Sequence, residues 1–230
     1  PDTVFCVGGL GDENIRTLPK MSREELCKST GFDLMQPFAL VTYHPETAPD
    51  AGSPAVQVQA LCSAMDKVDS VFWLITGSNA DAGGQVCTEM MQAFAASHPG
   101  RAGFVQSLGL RRYLSAMDCA ALVAGNSSSG VVETPTFKVP TVNIGKRQDG
   151  RMVCANVLCC APDAAAIEAT MRKALSPSFA PLAASAVSPY GGGDTSGKIC
   201  AVLQHFDFTK SKVFYDGPVP EFDPQRSVLV

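Results

Sequence analysis

The sequence is short of charge and has no long apolar run. Charged residues make up 17% of the 230 residues and hydrophobic residues 46%, which is typical of one large or two small well-packed domains and excludes a disordered chain. No apolar run approaches the length of a membrane span, and no signal peptide opens the chain, so we predict no membrane contact. The net charge of −4 and the pI near 5.4 give no support for nucleic-acid binding.

The cysteines lack the spacings of a disulfide framework or a metal site. There are nine of them, with no CxxC pair and no His/Cys ligand spacing. An odd number scattered through apolar segments favours buried, reduced thiols in the cytosol. We therefore expect a cytoplasmic protein with no metal and no cofactor.

The sequence also lacks an initiator methionine, since it begins Pro1-Asp2. This start indicates a chain that is either processed or part of a longer protein.

Short apolar runs alternate with helical patterns along the chain. We predict strands at Val4–Val7, Phe38–Tyr43, Val71–Ile75, 103–106, 119–124, 140–144 and 156–158, and helices between them. Alternation of this kind predicts an α/β fold, a Rossmann-like doubly wound parallel sheet. Ligands of such sheets lie at the carboxyl ends of the strands, near the point where strand order reverses. Residues 1–207 are predicted to form this domain and residues 208–230, which contain three prolines, an extended tail.

The segment 124–133 is the strongest candidate for a ligand site. It follows a buried strand and contains Ser127, Ser128 and Ser129, with a helix predicted to open at about Ser128. Free N–H groups at such a turn, together with the hydroxyls, suit a phosphate, and Glu133 could accept hydrogen bonds from a ribose diol. A Ser-rich helix cap is the alternative.

Other polar residues fall on the same predicted edge. His44 follows a buried strand, and Arg147 and Arg151 lie in the loop after residue 144. Arginine there could bind a pyrophosphate bidentately, and Asn79 and Asp81 could contact a base or sugar. Each also has an ordinary structural explanation, such as a solvated surface charge or a turn.

Five polar segments stand out along the chain: His44-Pro-Glu-Thr47, residues 77–84, Gly125-Asn-Ser-Ser-Ser-Gly-Val-Val-Glu133, residues 140–151 and Ser188-Pro-Tyr-Gly-Gly-Gly-Asp-Thr195. In order and spacing they closely resemble the hydrolysing UDP-N-acetylglucosamine 2-epimerases of sialic-acid biosynthesis. The similarity covers about residues 1–215.

The resemblance implies one half of a GT-B fold, in which two Rossmann-like domains close on a nucleotide sugar. This chain is similar to the carboxyl-terminal, UDP-binding half. Its expected partners are a UDP-sugar substrate, the amino-terminal domain of the same enzyme and a second copy in a homodimer.

The resemblance also implies roles for individual residues. Ser127 and Ser128 would bind the diphosphate, Glu133 the ribose hydroxyls and Arg147 the phosphates. Asn79 would lie near the nucleotide.

Two further positions follow from the same resemblance. Ser107, with the segment to Tyr113, would lie near the uracil, although some relatives carry His or Gln at that position. His44 would be the catalytic residue that this half contributes.

The implied reaction eliminates UDP from UDP-N-acetylglucosamine to give 2-acetamidoglucal, which is then hydrated to N-acetylmannosamine. The carboxylates that move the C2 proton would belong to the other domain, so the isolated chain is expected to bind UDP without turnover. Three alternatives stay open: a 2-epimerase acting on a related nucleotide sugar such as UDP-diacetylbacillosamine, a GT-B glycosyltransferase, and a non-enzymatic nucleotide sensor.

Overall fold

The computed structural model describes residues 4–48 and 52–209. The elements in chain order are α1 (Leu10–Thr17), α2 (Arg23–Thr30), β1 (Phe38–Thr42), α3 (Pro54–Lys67), β2 (Phe72–Thr76), α4 (Gly84–Ser97), β3 (Ala102–Val105), α5 (Gly109–Cys119), β4 (Leu122–Gly125), α6 (Ser129–Val132), α7 (Thr134–Phe137), β5 (Thr141–Ile144), β6 (Val157–Cys160), α8 (Ala164–Ala174), α9 (Ala180–Ala184) and α10 (Thr195–His205).

The chain divides into two compact units, one of residues 1–17 with 190–230 and one of residues 18–189. In the smaller unit, the Gly9 N–H donates to the Tyr190 carbonyl over 2.9 Å. Asp194 is the N-cap residue of α10, and its carboxylate accepts from the Gly197 N–H. The larger unit contains the whole sheet.

The six strands form one parallel sheet in the order β3-β2-β1-β4-β5-β6. The chain builds outward from β1 to β3 and then returns to place β4 on the other side of β1. Strand order therefore reverses between β1 and β4, and the loops that follow these two strands flank the crevice where such sheets bind ligands. The predicted doubly wound parallel sheet is confirmed.

Both faces of the sheet are covered, which explains why the strands are apolar throughout rather than alternating. Along β1, Ala39 and Val41 pack into the core under α3, α4 and α8, while Phe38 and Leu40 pack into a second core with α2 and α5. Every residue of β1 and β2 is buried.

The helix starts follow the local sequence. Ser22 and Glu25 form a capping box at the start of α2, and Asp163 caps α8. Ser53 caps α3, with Pro54 at its first position, where the missing N–H costs nothing.

The predicted strand at Val4–Val7 is wrong. Among the described residues this segment has no regular secondary structure, and Val4 and Phe5 are exposed and not packed in the core. Most of the predicted tail at 208–230 lies outside the described residues, and the domain boundary at residue 207 stays a prediction. None of the helices in the described ranges combines the length and apolar character that a bilayer span requires.

Candidate functional site

Asn126 joins the two strand ends at the point where strand order reverses. It follows β4 directly and is fully buried. Its side-chain oxygen accepts from the His44 N–H over 2.8 Å, and its amide nitrogen donates to the His44 carbonyl over 2.7 Å. This pair of bonds fixes the backbone of the β1 loop against the β4 loop, so both present their side chains at one place.

The serine loop, residues 127–129, is rich in unused donors. The backbone N–H groups of Ser127, Ser128 and Ser129 make no hydrogen bond to any described residue. Ser128 precedes α6 but its hydroxyl caps nothing there, which argues against the alternative of a simple Ser-rich cap. The predicted helix does start here, but α6 has only four residues. An anion at this loop would therefore be held by these local donors more than by the dipole of a long helix.

A cleft of about 420 Å³ opens beside this loop, on the side of β1 and β2. Its walls combine hydroxyl, amide and carboxylate groups with two leucines, a composition that suits a sugar or base joined to a phosphate. The lining residues are Thr42, Thr76, Gly77, Gln106, Ser107, Leu108, Gly109, Leu110, Tyr113, Ser127, Ser129 and Glu133.

Glu133 contributes a carboxylate to the cleft without a protein partner. No described residue hydrogen-bonds to its side chain, and burial raises the pKa of this carboxyl. A half-buried carboxylate that is desolvated and unpaired is costly to maintain unless a ligand supplies donors. The two hydroxyls of a ribose could satisfy it.

His44, Ser78, Asn79, Asp81 and Arg147 form a second group, which we call the His44 cluster. The Asn79 N–H donates to His44 Nδ1 over 3.0 Å, and the Ser78 hydroxyl lies 3.3 Å from the same nitrogen. Because Nδ1 accepts, the neutral ring carries its proton on Nε2. Burial lowers the pKa of His44 and the nearby charge of Arg147 lowers it further, while Asp81 acts in the opposite direction.

Arg147 lies at the edge of this cluster. Its guanidinium donates to the Asn126 carbonyl over 3.4 Å and lies 3.8 Å from the Asp81 carboxylate. Asp81 also accepts from the Asn79 side chain. The arginine is therefore held over the β4 loop, close to the free N–H groups of the serines.

Glu46 fixes the backbone that carries Arg147. Its Oε1 accepts from the N–H groups of Lys146 and Arg147, over 2.8 and 3.2 Å. A Cβ at Gly145 would lie 2.0 Å from that same oxygen, and Gly145 has a φ of +76°. Glycine at this position thus allows the loop after β5 to close on the carboxylate.

The structure brings the predicted residues into two neighbouring groups rather than one. Ser107, Ser127 and Glu133 line the cleft, whereas His44, Asn79 and Arg147 belong to the His44 cluster. Ser129, not Ser128, lies beside Ser127 in the cleft wall. The ligand-binding roles assigned to all these residues stay predictions.

Sequence reasoning gave no role to Asn126, Gln148 or Glu46. Gln148 is buried and donates to the Asn126 carbonyl over 2.8 Å. The signal for Asn126 was its place immediately after a buried strand. Nothing in the sequence pattern pointed to Gln148, because its partner is a backbone carbonyl.

The described residues contain no group of three His, Cys, Asp or Glu side chains placed to hold a metal ion. All nine cysteines are free thiols. They were expected to be buried, but Cys6, Cys159 and Cys200 are exposed.

Two opposite charges near His44 lead to a matched pair of predictions. Arg147→Gln should raise the pKa of His44, because it removes a cation that disfavours the imidazolium, and Asp81→Asn should lower it. A proton NMR titration of the ring Hε1 signals measures both, with His98 and His205 as internal references. Shifts in the same direction for both variants would contradict this electrostatic arrangement.

The fold and the site define the class of this protein. A six-stranded parallel sheet with its polar loops gathered at the β1/β4 switch point is a Rossmann-like α/β domain, one half of a GT-B fold. The family model described as UDP-N-acetylglucosamine 2-epimerase matches residues 1–204. The chain therefore belongs to the UDP-N-acetylglucosamine 2-epimerase family.

Two relatives show how much of the family's length is present. The GDP/UDP-N,N′-diacetylbacillosamine 2-epimerase (hydrolyzing) of Campylobacter jejuni is 32% identical over 155 residues, which are 67% of this chain and 40% of that protein. The polysialic acid biosynthesis protein P7 of Escherichia coli is 30% identical over 222 residues, 95% of this chain and 56% of that protein. The chain thus spans about half the length of the relatives it matches.

Solved structures give the same fold. An S. aureus MnaA–UDP co-structure superposes with a TM-score of 0.67 at 13% identity, covering 88% of this chain and 54% of that one. The UDP-GlcNAc 2-epimerase of Neisseria meningitidis bound to UDP-GlcNAc gives 0.63 at 12% identity, covering 79% and 48%.

Proposed function

We propose that this chain is the carboxyl-terminal, UDP-binding half of a hydrolysing UDP-N-acetylglucosamine 2-epimerase, which converts UDP-N-acetylglucosamine and water into N-acetylmannosamine and UDP. The observation that carries the proposal is the cleft at the switch point. It sets the unpaired Glu133 carboxylate beside the serine loop with its free N–H groups. That pairing of one acceptor and several donors fits a ribose joined to a diphosphate.

In this proposal the residues of this half stabilise the leaving group. When the C1–O bond breaks, its electron pair stays on the β-phosphate oxygen, and negative charge develops there. The N–H groups of the serine loop, the hydroxyls of Ser127 and Ser128, and the Arg147 guanidinium would stabilise that charge. Removal of the C2 proton is assigned to carboxylates of a second domain.

His44 would act at the sugar end of the site. Its Nδ1 is occupied by the Asn79 N–H, so the group left to meet the substrate is the Nε2–H. A neutral imidazole with a lowered pKa donates a hydrogen bond without adding a second cation next to Arg147.

A second candidate substrate is a UDP-diacetylbacillosamine-type sugar. The Campylobacter jejuni relative, 32% identical, is named for hydrolysing that class of nucleotide sugar. Both candidates share the nucleotide and leaving group and differ only in the sugar. Parallel assays of a chain that carries both halves, one with each UDP-sugar, separate them.

The remaining partners follow from the same proposal. The relatives are about twice as long as this chain, which supports a second domain that closes over the cleft and excludes water until elimination is complete. A homodimer formed largely through that other domain completes the proposed assembly.

The proposal predicts that Glu133→Gln weakens UDP binding by about ten- to a hundredfold, because hydrogen bonds to a charged acceptor are stronger than those to an amide. Isothermal titration calorimetry with UDP measures the loss. The variant and the wild type should bind 2′,3′-dideoxy-UDP equally, since that ligand lacks the hydroxyls that Glu133 would accept from. Glu168→Gln is the matched control, because it makes the same substitution on α8, away from the cleft.

The pH dependence of stability provides a check that Glu133→Gln folds. Burial raises the pKa of Glu133 in the folded state above its unfolded value, so the wild type loses stability as pH rises through the folded pKa. The variant should be the more stable protein at pH 7, and its advantage should disappear near pH 4. Undiminished UDP affinity in a folded variant would argue against the ribose role.

A further inference from the structure

Five hydroxyl groups of residues that line the cleft form a chain of close contacts along its wall. Thr76 Oγ1 lies 2.8 Å from Thr42 Oγ1, which lies 3.2 Å from the Tyr113 hydroxyl. Tyr113 lies 2.8 Å from Ser129 Oγ, and the Ser129 hydroxyl donates to Ser127 Oγ over 3.1 Å. We call this the hydroxyl chain. Four elements contribute to it, and its last member stands at the cleft wall beside the free N–H groups.

The part of the chain that runs from Tyr113 through Ser129 to Ser127 has a direction. Thr76 lies outside it, because its hydroxyl donates to the Val41 carbonyl over 3.2 Å. Each hydroxyl has one proton to donate, and Ser129 gives its proton to Ser127. The 2.8 Å contact between Tyr113 and Ser129 must therefore use the phenol proton. Because Ser127 accepts from Ser129, its own proton is not used in that bond and can be donated to a ligand in the cleft that Ser127 lines.

The environment of Tyr113 preserves this direction. The ring packs against the core formed by α2, α5 and the sheet, which fixes the position of the hydroxyl. Burial raises the pKa of Tyr113, so the phenol keeps its proton at neutral pH and stays a donor to Ser129. Hydrogen bonds aligned in one direction polarise each other, which makes the last hydroxyl a better donor.

We propose that Tyr113 is a positioning residue that, through Ser129, orients the Ser127 hydroxyl as a proton donor to an anionic oxygen of a diphosphate bound in the cleft. The inference rests on the proposed function and deepens it, because it explains how a half-buried tyrosine outside the serine loop governs the strength of a phosphate contact. Tyr113 itself touches no phosphate.

Tyr113→Phe tests the proposal with the loss of one oxygen atom and retention of the packed ring. We expect UDP to bind about tenfold more weakly to the variant, while the affinity for uridine, measured by NMR titration, stays within twofold. A merely structural role would weaken both ligands together. Tyr43→Phe is the matched control, because it removes the same atom from a different tyrosine, whose hydroxyl donates to Gln57 and takes no part in the hydroxyl chain.

A double-mutant cycle with Ser129→Ala gives the sharper result. Either single change breaks the chain between Tyr113 and Ser127, so the double variant should lose no more UDP affinity than the weaker-binding single variant. Thermal unfolding confirms that each variant is folded. Losses that add, or an unchanged affinity in Tyr113→Phe, would overturn the role of Tyr113 while leaving the proposed function intact. A wild-type chain that binds uridine and UDP equally, or neither, would overturn the proposed function and this inference with it.

Discussion

Gly125→Ala should leave little folded protein. Gly125 ends β4 opposite Thr42 of β1 and has a φ of +136°, a backbone conformation that side chains rarely adopt. A Cβ built there would lie 1.9 Å from the Thr42 carbonyl oxygen and 2.7 Å from its carbon, and both are backbone atoms in a buried strand. Neither can move without breaking the pairing of β1 with β4. We expect a loss of ~4 kcal/mol or more in the free energy of unfolding, the range of exceptional single substitutions.

Gly130→Ala, at the other end of the serine loop, is the matched control. A Cβ there would meet only Thr141 Cγ2, at 3.5 Å, which is an ordinary van der Waals contact. Since Gly130 lies in α6, alanine should be neutral or stabilising by up to ~1 kcal/mol. Urea unfolding followed by circular dichroism compares the two. Equal midpoints would show that the close approach of β4 to β1 does not constrain residue 125.

The second large effect is expected at His44, in a chain that carries both halves of the enzyme. His44→Ala and His44→Asn should each lower kcat by a hundredfold or more, the usual range for a side chain that handles a proton or hydrogen bond in the transition state. The asparagine variant is the more informative, because its side-chain oxygen can replace Nδ1 as acceptor for the Asn79 N–H while Nε2–H is lost. UDP affinity of that variant should stay within about threefold.

The pH profile of the wild type adds an independent test of His44. Burial and Arg147 lower its pKa, so the imidazole should be neutral at pH 7 and should take up its proton at a lower pH than an unperturbed histidine. Turnover should therefore be level near neutral pH and fall on the acid side. His205→Gln serves as the control, since His205 lies at the end of α10 in the smaller unit. Full turnover in either His44 variant would remove the catalytic assignment.

The sheet could be read from the sequence because its strands are continuous apolar runs separated by helical patterns and polar loops. Each of the six strands in the described residues overlaps a predicted run, and their ends agree to within two residues except at β4, which was predicted to begin at residue 119 and begins at Leu122. The mistaken strand at Val4–Val7 has the same local pattern. It pairs with no strand among the described residues, and strand pairing is a property of the fold and not of the segment.

The candidate site was less readable, for a physical reason. Polar residues after strands could be placed on one edge, since parallel strands end together. The hydrogen bonds that organise that edge join side chains to backbone groups. The Asn126 side chain bonds to the His44 N–H and carbonyl, and the Gln148 side chain donates to the Asn126 carbonyl. Because every residue carries a backbone carbonyl, the identity of the partner residue gives no sign of such a bond. The division of the predicted residues between the cleft and the His44 cluster was invisible for the same reason.

The contact of Glu46 with the β5 loop has a consequence for the order in which the protein assembles. Its two amide partners lie 100 and 101 residues further along the chain, and the Asn126 bonds to His44 span 82 residues. Closing loops of this length costs chain entropy that is recovered only when the intervening strands have paired. During synthesis, the edge around His44 therefore stays unformed until Arg147 has left the ribosome, and a fragment ending before β5 would carry every serine of the loop without a finished binding edge.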